Sequence, residues 1–221
     1  MKNYLVTGSN RGIGFEFCKQ LNNKGVNVIA TCKNSSAELN SLGVEIIEDV
    51  DISSDKSILI LKNRLKGRNI DCLINNAGIA DYNSLENLDL NSIRRQFEIN
   101  ALSPLSLTKE LLSFLKKGSK IAFITSRMGS IEDNTSGGSY GYRMSKVALS
   151  MAAKSLSLDL IKKEVYVAIL HPGLVSTRMT GFTKNGITTF DSVTGLLNRI
   201  DNLNKNNTGT FWHSNGEILP W

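Results

Sequence analysis

The stretch Asn3-Tyr4-Leu5-Val6-Thr7-Gly8-Ser9-Asn10-Arg11-Gly12-Ile13-Gly14 runs directly into Phe15-Glu16-Phe17-Cys18-Lys19-Gln20-Leu21. A short β-rich apolar run ends in a turn holding three glycines, and a segment of helical period begins inside that turn. Glycine lets the backbone turn sharply and come close to a pyrophosphate, while the amide N–H groups that open the helix face its negative charge. Such a turn alone is also an ordinary strand-to-helix connection. Its place in the first strand–turn–helix unit is what points to a dinucleotide. The spacing, Gly8, Gly12, Gly14, differs from the more usual Gly-x-Gly-x-x-Gly.

Outward from this unit, β-rich runs alternate with helical segments along the whole chain. Strands are expected at Asn3–Thr7, Val26–Thr31, Val44–Glu48, Ile70–Asn75, Lys120–Thr125, Val165–Leu170 and near Gly209–Trp212. Helices are expected over Gly12–Asn23, Ser54–Lys66, Leu88–Leu115, Gly141–Lys163 and Ser192–Asn202, with a kink or restart at Pro104. This order predicts an α/β fold of the Rossmann type: one doubly wound parallel sheet of about seven strands flanked by helices. No linker, repeat or low-complexity tract divides the chain, so residues 1–221 are expected to form a single domain.

Composition removes several classes of function. No run approaches the ~20 apolar residues of a membrane helix. The N-terminal apolar run breaks at Gly8, unlike a secretory leader, which places the expected site of action in the cytoplasm. The net charge is +6, but Lys and Arg are scattered in runs of at most two, so no nucleic-acid partner is expected. Cys18, Cys32 and Cys72 lie far apart, form no metal-ligand spacing and are expected to be buried reduced thiols, with no metal. His171, ahead of Pro172-Gly173 at a strand end, is expected to be a satisfied structural histidine, and His213 has no partner motif.

Two places carry readable chemistry. Folds specific for NAD usually place an acid at the tip of the second strand, about twenty residues past the glycine turn, to bond the ribose 2′-hydroxyl. Here that tip reads Thr31-Cys32-Lys33-Asn34, and the nearest acid along the chain is Glu38. Lys33, with Arg11 inside the turn, favours a 2′-phosphate and therefore NADP(H). Further on, Tyr142-Arg143-Met144-Ser145-Lys146 sets a phenol and an amine four residues apart, on one face of a helix. An ammonium there is expected to lower the phenol toward neutral pH for proton exchange. Tyr140 points to another face.

With Asn75-Asn76-Ala77-Gly78 at the fourth strand end and the Tyr142/Lys146 pair, the glycine turn resembles that of the short-chain dehydrogenase/reductase family, over nearly the whole chain. Ser126-Arg127-Met128-Gly129-Ser130-Ile131, Gly137-Gly138 and the ending Gly216-Glu217-Ile218-Leu219-Pro220-Trp221 are similar to the C-factor and sniffer-like carbonyl reductases. The resemblance implies that Gly8, Ser9, Asn10, Arg11, Gly12, Ile13 and Gly14 hold the pyrophosphate side of the cofactor. Asp51 and Ile52 would meet the adenine, with Asp49 the rival, and Asn76, Ala77 and Gly78 the ribose. The Val175 backbone would lie at the carboxamide with Thr177 nearby, Tyr142 and Lys146 would contact the cofactor, and Tyr142 would also meet the substrate. Tyr142 is implied as general acid/base and Ser126 as a donor to the substrate oxygen, with Asn100 holding a water beside Lys146. Relatives typically carry arginine where Lys33 stands.

The activity implied is an NADP(H)-dependent oxidoreductase moving a hydride between nicotinamide and the carbonyl or alcohol carbon of a small or medium substrate. The alternatives are an NAD-dependent alcohol dehydrogenase, or a C-factor-type nucleotide-binding signalling protein with weak catalysis. Family members pair through the helices after Pro104 and Gly141, which implies a homodimer or homotetramer. The segment from Thr180 to Phe190 is short for a substrate lid, so an open pocket is expected.

Overall fold

The computed structural model describes residues 1–221. Its elements are β1 (Asn3–Thr7), α1 (Gly12–Asn23), β2 (Asn27–Thr31), α2 (Ala37–Asn40), β3 (Glu45–Ile47), α3 (Asp55–Arg64), β4 (Ile70–Asn75), α4 (Leu90–Phe97), α5 (Ser103–Leu111), β5 (Leu115–Ile124), α6 (Tyr140–Asp159), β6 (Tyr166–His171), α7 (Thr189–Asp201) and β7 (Phe211–His213). The strands form one seven-stranded sheet in the order β3-β2-β1-β4-β5-β6-β7, with every pairing parallel. The chain winds outward from β1 to β3, then returns to start β4 on the other side of β1. That reversal opens a crevice above the carboxyl ends of β1 and β4, where ligands of such sheets bind.

Two cores follow from the period-two alternation of side chains along each strand. Leu5, Ile29, Leu73, Ile121, Phe123, Val167 and Ile169 face one side, where Ile58 and Leu61 of α3, Leu107 and Leu111 of α5, and Leu149 and Ala153 of α6 pack against them. The intervening residues Val6, Ala30, Ile74, Ala122, Ala168 and Leu170 face the other side, covered by Phe17, Cys18 and Leu21 of α1 and Val193, Leu196 and Ile200 of α7. All three cysteines are free and buried, as expected. No helix is long and apolar enough to cross a membrane.

The expected helix over Leu88–Leu115 is broken into pieces. Asp89 caps α4 by accepting from Asn91 N and Ser92 N. A π-helical turn over Glu98–Leu102 follows, and α5 restarts with Pro104 in its first turn, where a missing N–H costs nothing. At the far end Leu115 already belongs to β5, five residues before the expected Lys120. Ser119 Oγ bonds Ile70 O and accepts from Lys116 N, which holds this polar entry against β4. The expected helix over Gly141–Lys163 is instead Tyr140–Asp159, followed by a tight turn at Ile161–Lys163. In the last helix, Thr188 accepts from Asp191 N and starts α7 three residues before the expected Ser192.

Candidate active site

The three glycines of the turn shape it in three different ways. A Cβ on Gly14 would sit 2.1 Å from Gly8 O and 2.5 Å from Asn76 Nδ2, so no other residue fits there. Gly8, at φ +66°, passes so close to β4 that a Cβ would lie 2.9 Å from Ala77 Cα. Gly12, at φ +57°, opens toward Thr177, with no atom nearer than 3.7 Å to an added Cβ. Across the crevice Thr7 Oγ1 accepts from both Asn76 N and Ala77 N at 3.0 Å, and Asn76 Nδ2 donates to Thr7 O. These bonds lock the β4 end to the turn, so the backbone forms a fixed cradle.

A cleft of about 1060 Å³ runs from this cradle in both directions. Asn10, Arg11, Gly12, Ile13, Gly14, Asn76, Ala77, Gly78 and Thr177 line it beside Gly8. Ser9 does not: it is fully buried, donates to Val6 O and bonds Thr31 O through its N–H, so it braces the turn from beneath. Val175 is also turned inward, bridged to Ile187, with its carbonyl accepting from Thr180 Oγ1. Neither side chain lines the cleft, and the contact expected of Val175 is one of its backbone.

At one end Lys33, Asp51 and Ile52 line the cleft. Asp51 is the acid there, while Asp49 turns through φ +61° outside it. Lys33 Nζ lies 2.6 Å from Asp51 Oδ2, and Asp51 Oδ1 accepts from Ser53 N and Oγ. Burial works against the Asp51 charge, but the hydrogen bonds from Lys33 and Ser53 hold its carboxyl below the ordinary carboxylate range. The strand tip therefore has an acid opposite its lysine, contributed by the loop after β3. Reading along β2 alone missed it. Arg11 is exposed and forms no ion pair within the chain.

At the other end α6 brings Tyr142 and Lys146 together, 8% and 5% exposed. Lys146 Nζ sits 5.6 Å from the centroid of the Tyr142 ring and donates to Ile124 O at 3.0 Å. Ser126, at the tip of β5, accepts from Met128 N, and its hydroxyl stands on the phenol's side, where it favours the ionised form. Gly129 lets this loop pack on α6: a Cβ there would be 2.8 Å from the Lys146 backbone. Thr125, which sequence reading did not single out, donates to Lys146 O and pairs with Ser150 Oγ, fixing the helix one turn below the phenol.

Asn100 lies in the π-helical turn, almost fully buried. Its amide donates to Ile79 O and Ser145 Oγ, and its carbonyl accepts from Ile79 N. Every bond it makes fastens the chain after Gly78 to α6, which makes it a positioning group beside the expected water-holding one.

The expected lowering of the phenol is corrected. Burial pushes Tyr142 well above the ordinary phenol range, the nearby Tyr82 pushes the same way, and the Ser126 hydroxyl only partly opposes them. Burial also pulls Lys146 down to about 8. Both groups are buried, and for the phenol desolvation outweighs the other influences. The phenol is held neutral.

The rim is apolar. Tyr82 meets Tyr142 edge-on at 5.8 Å, and the exposed Met179 and Phe182 border the cleft from the short segment after β6. His171 is not satisfied as expected: its Nδ1 is buried without a partner, and its ring packs edge-on against His213 at 4.8 Å. Burial, with His213 beside it, pulls His171 down to about 3.

A doubly wound parallel sheet, a glycine cradle fit for a pyrophosphate and a buried Ser/Tyr/Lys group at the same sheet edge define a nicotinamide-dependent oxidoreductase of the short-chain type. The sequence model described as "short chain dehydrogenase" matches residues 2–187, and the chain belongs to that family, whose members bind nicotinamide cofactors. It is 39% identical over 226 residues to the 1-hydroxy-2-glutathionyl-2-methyl-3-butene dehydrogenase of Rhodococcus sp. (strain AD45), covering all of both chains. It is 44% identical over 155 residues to the C-signal of Myxococcus xanthus, covering 69% of this chain and 93% of that one. Among solved structures, the NADPH-bound carbonyl reductase from chicken fatty liver superposes with a TM-score of 0.91 at 30% identity, covering 100% of this chain and 99% of that one. The resemblance to the C-factor and carbonyl reductase branch is thereby borne out.

Proposed function

We propose that the protein is an NADP(H)-dependent carbonyl reductase of small or medium aldehydes and ketones, with Tyr142 as general acid. The observation that carries this is one cleft lined at one end by Lys33 and Arg11 and at the other by the buried Tyr142 and Lys146, with Ser126 buried at the tip of the neighbouring strand. The chicken carbonyl reductase, similar over the full length, carries NADPH in its structure. The glycine turn from Gly8 to Gly14 would hold the pyrophosphate, Asn76, Ala77 and Gly78 the nicotinamide-side ribose, and Thr177 the carboxamide. Asp51 and Ile52 would meet the adenine, and Lys33 with Arg11 the 2′-phosphate.

When bound, the reduced nicotinamide supplies the hydride; the protein supplies geometry and the proton. Tyr142 and Ser126 donate hydrogen bonds to the substrate carbonyl oxygen, where negative charge grows as its carbon is reduced. Tyr142 then passes its proton to that oxygen. Lys146 stands beside the ring as the positive charge that eases the loss of that proton, and Asn100 keeps the floor of the site in register. The apolar rim of Tyr82, Met179 and Phe182 suits a substrate with a hydrophobic flank.

Alcohol oxidation with NAD is the second reading, favoured by the name of the Rhodococcus relative, a dehydrogenase, and by the carboxylate opposite Lys33. The test is NADPH oxidation with a panel of carbonyls and NAD reduction with the matching alcohols, for wild type and Tyr142→Phe. Removing the proton donor is expected to lower kcat about 10²–10⁴-fold, with cofactor affinity little changed. Equal rates for the two proteins would remove Tyr142 from the chemistry, and turnover only in the alcohol direction would replace the first reading by the second.

A further inference from the structure

We infer that Asp51 sets the dinucleotide selectivity of this cleft: by pairing with Lys33 it restrains recognition of a 2′-phosphate and leaves the site able to take both NADP(H) and NAD(H). The inference rests on the dinucleotide reading above and extends it. Lys33 Nζ and Asp51 Oδ2 are 2.6 Å apart, and the carboxylate is clamped by Ser53 N at 3.0 Å and Ser53 Oγ at 2.7 Å. The backbone holds the two loops in this register, since Asp49 N bonds Lys33 O and Val50 N bonds Cys32 O. The paired loops therefore set Asp51 opposite Lys33.

A phosphate that reaches Lys33 meets this carboxylate at close range, and like charges oppose each other there. A ribose 2′-hydroxyl meets no such opposition, because it can donate to Asp51 and accept from Lys33. The charge count agrees: Lys33 and Arg11 bring two cations to the strand tip, and Asp51 cancels one. Both partners are partly exposed, at 58% and 37%, so the ion pair is loose enough for a phosphate to compete for the lysine.

The test is binding of NADP⁺ and of NAD⁺ to wild type, Asp51→Asn, Lys33→Gln and the double variant, followed by titration calorimetry. The readout is the ratio of the two affinities. Contacts to adenine, pyrophosphate and nicotinamide are common to both ligands, so a general loss of binding cancels in it. Wild type is expected to favour NADP⁺ only modestly. Asp51→Asn should raise that preference about tenfold, the effect of one unit charge near the phosphate. Lys33→Gln should lower or reverse it, and the Asp51→Asn effect should shrink in the Lys33→Gln background. An unchanged ratio in Asp51→Asn, with both ligands still bound, overturns this inference alone. If wild type binds neither dinucleotide, the cofactor reading falls with it.

Discussion

Lys146 is an ammonium with 5% of its surface exposed, one hydrogen bond to Ile124 O and no carboxylate partner. Burial pulls it from 10.5 down to about 8. At about 1.4 kcal/mol per pH unit, that displacement costs the folded state about 3 kcal/mol. Lys146→Met keeps the aliphatic stem and removes the charge. It also loses the bond to Ile124 O, worth about 1 kcal/mol, so the variant is expected to be more stable by about 2 kcal/mol, or about 4–8 °C in Tm for a chain of this size. Below about pH 8 the amine is charged in both states and the cost is present in full. Between about 8 and 10.5 the folded protein sheds this proton while the unfolded chain keeps it, so wild-type stability rises relative to the variant. The variant's advantage should therefore be constant up to about pH 8 and fade by about 10.5. The buried thiols and phenols weaken both proteins in alkali, so the difference between them is the quantity to follow. Urea denaturation monitored by Trp212 and Trp221 fluorescence at a series of pH values measures it, and activity should be lost throughout. A variant no more stable than wild type at pH 7, or a difference that stays flat to pH 10, would refute the reasoning.

Gly14→Ala should abolish dinucleotide binding and cost about 1–3 kcal/mol or more from overpacking, because its Cβ would meet Gly8 O at 2.1 Å. Gly12→Ala, left-handed but with space toward Thr177, should cost only about 1–2 kcal/mol of backbone strain; matched urea midpoints for the pair would contradict the cradle. His171, pulled down to about 3 beside His213, binds no proton in the folded state where the unfolded chain takes one up below about 6.5. Wild type should therefore lose stability relative to His171→Gln as the pH falls from 6.5 toward 4, and parallel acid denaturation curves would count against a buried neutral ring.

What could be read from the sequence was local. The glycine turn, the seven strands and the four-residue spacing of Tyr142 and Lys146 each declare themselves within a dozen residues. What stayed hidden depends on contacts between segments. Asp51 faces Lys33 only because β2 and β3 pair in parallel, Thr31 beside Ile47, which brings the loops after them side by side. His171 meets His213 by the same logic, through the pairing of β6 with β7. Ser9 sits in the turn like its neighbours, and nothing in its identity says that its hydroxyl points down to Val6 O. The entry of β5, Leu115-Lys116-Lys117-Gly118, looks like solvent-exposed loop and becomes strand through Ser119 and the edge of β4.

The depth of the site bears on the direction of the reaction. Spacing alone gives a lysine beside a tyrosine and so a lowered phenol; burial reverses the sign. Both shifts come from the same missing water, which disfavours the phenolate and the ammonium alike. Burial therefore favours the protonated phenol and the neutral amine. A neutral phenol is the form that donates to a carbonyl oxygen, the step the proposed reductase reading gives to Tyr142, whereas alcohol oxidation needs the phenolate as base.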